Sequence, residues 1–152
     1  MTATHDRSWY NMIKGGSTVS WEAWDLKYKP NQDWNHAWGA APANIVPRYM
    51  WGIQPKVPGY SVTTIKPQLA SLKHSSIVVP TIKGQIIAEY KKVSNRLSNY
   101  TIEIPANMVA EFTLDFPKTA VVSLNGQAVN TSFGSVRLNP GVNKIEVKIN
   151  SF

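Results

Sequence analysis

One short stretch of the chain concentrates side chains able to do chemistry: Ser17-Thr18-Val19-Ser20-Trp21-Glu22-Ala23-Trp24-Asp25, followed by Trp34-Asn35-His36-Ala37-Trp38. Indole faces stack on the apolar C–H face of a sugar ring, while carboxylates and imidazole bond hydroxyls, so the combination suits a carbohydrate site. A carboxylate hedged by indoles can have a raised pKa or serve as a general base. The same residues would also pack a helical layer, and composition by itself favours that packing role. Other chemistries find less support. There is no cysteine, which excludes thiolate nucleophiles, disulfides and cysteine-based metal sites. His5 and His74 read as surface residues, and no metal spacing, glycine-rich phosphate loop, serine nucleophile elbow or basic-aromatic array occurs. No cofactor is expected.

The elements that must position these residues fall into two halves. All six tryptophans precede residue 52, and the chain turns β-branched and alternating from about Gly59. A linker is expected at Pro55-Lys56-Val57-Pro58-Gly59, giving domains 1–58 and 59–152. In the first, His5 to Lys14 predicts a helix stopped by Gly15-Gly16. A second helix is expected after Asn35 as N-cap, running through Trp38, Ala41, Ile45, Tyr49 and Met50, with Pro42 and Pro47 delaying or kinking it. Two helices and a loop cannot bury six tryptophans among themselves, so this half reads as part of something larger.

The second half reads as strands at Tyr60–Ile65, Ser76–Val79, Gln85–Val93, Leu97–Ile104, Ala110–Phe116, Ala120–Leu124 and Asn143–Ile149. Asn125-Gly126 signals a type I′ hairpin into Gln127-Ala128-Val129, and Pro140-Gly141 marks a turn before the last strand. Short strands at this spacing imply an all-β antiparallel sandwich.

Composition bounds the rest. A formal charge of +7 comes from scattered lysines with Lys91-Lys92 the only adjacent basic pair, which reads as a solvated surface and not a nucleic-acid interface. No apolar run approaches the roughly 20 residues that span a bilayer, and the start lacks the features of a signal peptide, so no membrane partner is expected. The start fits a chain cut from a longer one. Localisation stays open between periplasm, secretion and cytoplasm.

Three segments carry a family resemblance. Thr18-Val19-Ser20-Trp21-Glu22-Ala23-Trp24-Asp25, then His36-Ala37-Trp38-Gly39-Ala40-Ala41-Pro42, then Arg48-Tyr49-Met50-Trp51-Gly52-Ile53 resemble the ordered signatures near the end of the bacterial α-L-rhamnosidases of glycoside hydrolase family 78. Pro58-Gly59-Tyr60, Ile65-Lys66-Pro67, Val79-Pro80-Thr81 and Lys83-Gly84 are similar to that family's barrel-to-sandwich junction. The likeness covers most of the chain and is strongest from Ser8 to about Tyr90. It departs at Pro47, where the family helix carries a small polar residue, and in the loop from Leu26 to Asp33, which is particular to this sequence.

The resemblance implies a mixed fold, the end of an (α/α)6 barrel followed by the sandwich, and an inverting hydrolase acting on terminal α-L-rhamnose. It implies Glu22 as general base and His36 as a sugar-binding residue; Trp21 and Trp24 are candidate substrate-binding residues that could each line the pocket or pack the barrel behind it, and Asp25 is expected to orient neighbours or cap a turn. The general acid would lie upstream of this chain, so the expected partners are a rhamnose-containing glycoside or polysaccharide and the remainder of the catalytic barrel. Alone, the chain is expected to be catalytically silent. The competing readings are a non-catalytic carbohydrate-binding module and a structural β-sandwich; the first lacks tryptophan in residues 59–152, and the second leaves the Trp-Glu-x-Trp signature unexplained.

Overall fold

A computed structural model describes residues 3–115, 120–131 and 134–150, in two compact units that divide between Val46 and Pro47. This division lies upstream of the expected junction at 58/59. The residues in between are built into the sandwich: Trp51 and Ile53 are buried, and Gln54–Pro55 already forms a strand.

In the first unit, helix α1 spans Trp9–Lys14, starting later than the expected His5. Ser8 ends it on the N-terminal side, with its hydroxyl oxygen accepting the Asn11 N–H at 3.1 Å. The N–H groups of Gly15 and Gly16 close the other end on the carbonyls of Asn11 and Ile13, both at 2.9 Å. The second expected helix is broken into a 3-10 turn at Ala37–Gly39, a short helix α2 at Ala41–Ile45 and a π turn at Val46–Met50. Asn35 is not its cap, since His36 holds the N-cap position of the 3-10 turn without a side-chain bond. Pro42 sits in the first turn of α2, where its missing N–H costs nothing, whereas Pro47 cannot donate into a continuing helix and the spacing widens there. Among the described residues, no helix is long and apolar enough to cross a membrane.

Among the described residues, the second unit is a sandwich of ten strands: β1 (Gln54–Pro55), β2 (Val62–Ile65), β3 (His74–Thr81), β4 (Gly84–Ser94), β5 (Leu97–Ile104), β6 (Val109–Thr113), β7 (Ala120–Leu124), β8 (Gln127–Val129), β9 (Ser135–Leu138) and β10 (Gly141–Ile149). They form a four-stranded sheet in the order β1-β2-β6-β9 and a six-stranded sheet in the order β3-β4-β5-β10-β7-β8. Pairing is antiparallel except between β2 and β6, which run parallel. Phe116, at the end of the strand expected from Ala110, lies outside the described residues. Asn125 and Gly126 both have positive φ, as the I′ hairpin between β7 and β8 requires.

Alternation places Ile86, Ala88 and Tyr90 of β4, Tyr100, Ile102 and Ile104 of β5, and Ile145 and Val147 of β10 on one buried face. Ala110 and Phe112 of β6 and Val136 and Leu138 of β9 supply the opposing layer. The sheets meet where the rings of Tyr100 and Phe112 pack edge to face with centroids 5.0 Å apart. Burial pushes the ionisation of the Tyr100 hydroxyl upward, so it stays neutral in this core.

Gly52 joins the incoming chain to the sandwich. Its carbonyl accepts the Lys66 N–H at 3.2 Å, while its φ is +64 and a Cβ there would lie 2.3 Å from the Lys66 carbonyl oxygen. Only glycine tolerates both constraints. Gly52→Ala is therefore expected to destabilise the sandwich by more than about 2 kcal/mol, since left-handed strain of about 1–2 kcal/mol adds to a backbone clash; urea denaturation followed by circular dichroism checks it.

Candidate functional site

Glu22 lies in the first unit after the Ser17–Ser20 segment, and the chain returns to it eleven residues on. The Glu22 N–H donates to the Asp33 carbonyl at 3.0 Å, and the Asp33 N–H donates back to Glu22 Oε2 at 3.1 Å. Two residues before Glu22, the Ser20 carbonyl accepts the His36 N–H at 2.8 Å. These bonds lay the Trp34–His36 segment against Ser20–Glu22. Gly39 keeps that approach close: a Cβ there would meet the Ser20 Cβ at 2.7 Å and the Trp21 carbonyl oxygen at 2.9 Å.

The loop between the two arms is organised from within. Gln32 is buried and its Oε1 accepts the Ala23 N–H at 2.9 Å. Asp25 Oδ1 accepts the Lys27 N–H at 3.1 Å, and its Oδ2 accepts from Asn11 Nδ2 at 3.2 Å, so Asp25 caps a turn and ties it to α1. Lys27 and Tyr28 both bond the Asp6 carboxylate.

At the site itself the Lys29 ammonium donates to Glu22 Oε1. That bond, then the Asp33 N–H, hold the Glu22 carboxyl below the usual carboxylate range, with the charges of Lys29 and His36 adding and burial opposing. Glu22 is thus an ionised carboxylate, and with its side chain 23% exposed it remains open to a water molecule. His36 Nδ1 lies 3.8 Å from Asp33 Oδ2, and its ring lies against Trp38 with centroids 6.0 Å apart. Donor atoms of Glu22, Asp33 and His36 come within 4.8 Å of one another. An ammonium bonded to Glu22 already supplies positive charge there, and we read the cluster as an ion-pair network and not a metal centre.

Of the residues singled out from sequence, Glu22 and His36 are therefore brought together. Trp21 is 6% exposed and packs edge to face with Trp34 at 4.8 Å; both line a pocket of about 380 Å³ with Asn11, Lys14, Gly15, Asp25 and Leu26. Trp24 stands against Trp9 at 5.1 Å, on the side of α1. His5 and His74 are exposed, the latter 3.3 Å from Glu89 on the sandwich. Lys29 and Asp33 were not anticipated. Nothing in a spacing of seven or eleven residues announces either partner, because the connection depends on how the loop turns.

Comparison with known proteins adds a family. Residues 1–50 match the bacterial alpha-L-rhamnosidase 6 hairpin glycosidase domain, and residues 52–130 match the bacterial alpha-L-rhamnosidase C-terminal domain. A curated alpha-L-rhamnosidase from Alteromonas sp. (strain LOR) is 26% identical over 134 residues, covering 79% of this chain and 14% of that protein. Among solved structures, the alpha-L-rhamnosidase from Dictyoglumus thermophilum superposes with a TM-score of 0.79 at 20% identity, over 97% of this chain and 18% of that one. The Streptomyces avermitilis alpha-L-rhamnosidase complexed with L-rhamnose gives 0.74 at 22% identity, over 97% of this chain and 15% of the other. The chain thus spans less than a fifth of the length of these relatives.

The Glu22 bonds also carry a pH signature. A carboxyl whose folded pKa lies below its unfolded value stabilises the fold fully above the unfolded value, about 4.3, and loses that contribution as pH falls through the folded value. Tryptophan fluorescence reports on this unit, which holds five of the six indoles. On acidification below about pH 4, the wild-type signal should loosen more steeply than that of Glu22→Gln; parallel curves would contradict the assignment.

Proposed function

The chain belongs to the bacterial α-L-rhamnosidase family, and we propose that it is the C-terminal part of an inverting glycoside hydrolase that removes terminal α-L-rhamnose with Glu22 as general base. The observation that carries this reading is the Glu22 carboxylate, held ionised by Lys29 and the Asp33 N–H beside the imidazole of His36. A general base must be deprotonated and within reach of the water it activates. Each carboxylate oxygen has two acceptor positions, so one bond to each leaves room for that water.

In the proposed reaction Glu22 takes a proton from water as its oxygen attacks the anomeric carbon on the face opposite the leaving group. The leaving oxygen is protonated by an acid from the upstream barrel, roughly 6.5–9.5 Å from Glu22 as an inverting enzyme requires. His36 bonds a sugar hydroxyl. Trp21 and Trp24 complete the substrate-binding set as an aromatic wall, Trp21 backed by Trp34 and Trp24 by Trp9. The domain assignment follows the same reading: the end of the catalytic helical barrel, expected over residues 1–58 and forming a compact unit only as far as Val46, then the C-terminal sandwich.

Two features of the first unit support a working partner in the rest of the barrel. Trp38 is 90% exposed beside His36, and Ile13 of α1 is 69% exposed. Without the acid and the remaining walls, both proton donation and positioning are lost, each worth powers of ten, and the chain alone is inactive.

Hydrolysis of an aryl α-L-rhamnoside by the full-length parent tests this. Glu22→Gln should lower kcat by about a thousandfold or more, and proton NMR should show the β-anomer of rhamnose released first. A parent inactive on rhamnosides, or full activity in the variant, rejects the assignment of Glu22; release of the α-anomer rejects inversion.

A further inference from the structure

We propose that Lys29 is the positioning residue of the Glu22 base, fixing its rotamer and keeping it ionised through the Lys29 Nζ to Glu22 Oε1 bond. The inference rests on Glu22 being the base. It adds Lys29, a residue of the loop between Leu26 and Asp33.

The loop aims Lys29 by committing its neighbours elsewhere. Lys27 and Tyr28 are tied to Asp6, the Tyr28 N–H reaches back to the Asp25 carbonyl at 3.1 Å, and the Gln32 N–H closes on the Lys29 carbonyl at 3.1 Å. Between these anchors the Lys29 side chain turns to Glu22. The groups facing Glu22 are then Lys29, the Asp33 N–H and His36, with the Asp33 carboxylate beside His36.

Stability does not account for this pair. With side chains 41% and 23% exposed, a lysine–glutamate bridge contributes little to folding. Its effect falls on Glu22: one oxygen is held by a cation and the other by a backbone N–H, so the carboxylate has a fixed plane and a charge that persists into acid. A base held this way is intrinsically weaker, and it stays competent over a wider pH range.

Two measurements test the proposal separately from the function it rests on. In the 152-residue chain with carbon-13 labelled glutamate, Lys29→Met should raise the titration midpoint of the Glu22 carboxyl, and Lys29→Arg should restore it. In the full-length parent, Lys29→Met should displace the acid limb of kcat/KM to higher pH, seen as a several-fold loss that grows as pH falls, with Lys29→Arg again restoring the limb. A midpoint that does not move overturns the proposal. A midpoint that moves without the acid limb, in a parent that Glu22→Gln inactivates, overturns it as well. Full activity in Glu22→Gln would instead defeat the assignment of the base, whatever Lys29 does to the titration.

Discussion

Two hydrogen bonds running in opposite directions between Glu22 and Asp33 close the loop on which the rest of the candidate site depends. One of them uses the Glu22 carboxylate itself, so the group proposed to do chemistry is also the group that holds its surroundings in place. Closing such a loop has an entropic cost that grows only slowly with length, and internal bonds from Gln32 and Asp25 reduce the number of loop conformations that compete. Once closed, the loop delivers Lys29 to one carboxylate oxygen and lays the segment of His36 alongside Ser20. Local folding and electrostatics are here the same set of contacts.

The two units hold themselves together by different means. The sandwich is core-built: alternating side chains from both sheets meet across Tyr100 and Phe112, and turns such as Asn125-Gly126 fix the register. The first unit has short helical pieces, few buried apolar side chains, and large apolar groups such as Ile13, Trp34 and Trp38 in the open. Surfaces of that kind mark a place where other protein packs, in keeping with a chain that spans less than a fifth of its relatives. Functional segments often have low local stability, and a site assembled from a loop gains rigidity when its flanks are covered.

Much of this was legible from residue types. Period-two alternation located β4, β5 and β7 to within a residue or two, because each buries one face and exposes the other. The Trp-Glu-x-Trp signature and His36 pointed to the residues that the fold brings together. What escaped has physical reasons. α1 starts at Trp9 because Ser8 caps it, a bond that apolar spacing alone does not locate. The helix expected through Met50 is interrupted where Pro47 removes a donor. β1 and β9 are too short for a strong alternation signal, and Trp51, grouped by sequence with the other indoles, belongs to the sandwich, where its Nε1 donates to Ser75 at 3.2 Å. Lys29 and Asp33 reach Glu22 only through loop geometry.

The central claim is that Glu22 and His36 share one sugar site. A crystal structure of the full-length parent soaked with L-rhamnose tests it most directly. The account predicts a sugar hydroxyl within about 3 Å of the His36 imidazole and the anomeric carbon facing Glu22, with a water molecule held between them. Rhamnose bound at a distance, with Glu22 and His36 free of it, would contradict the account and leave the fold standing without its proposed chemistry.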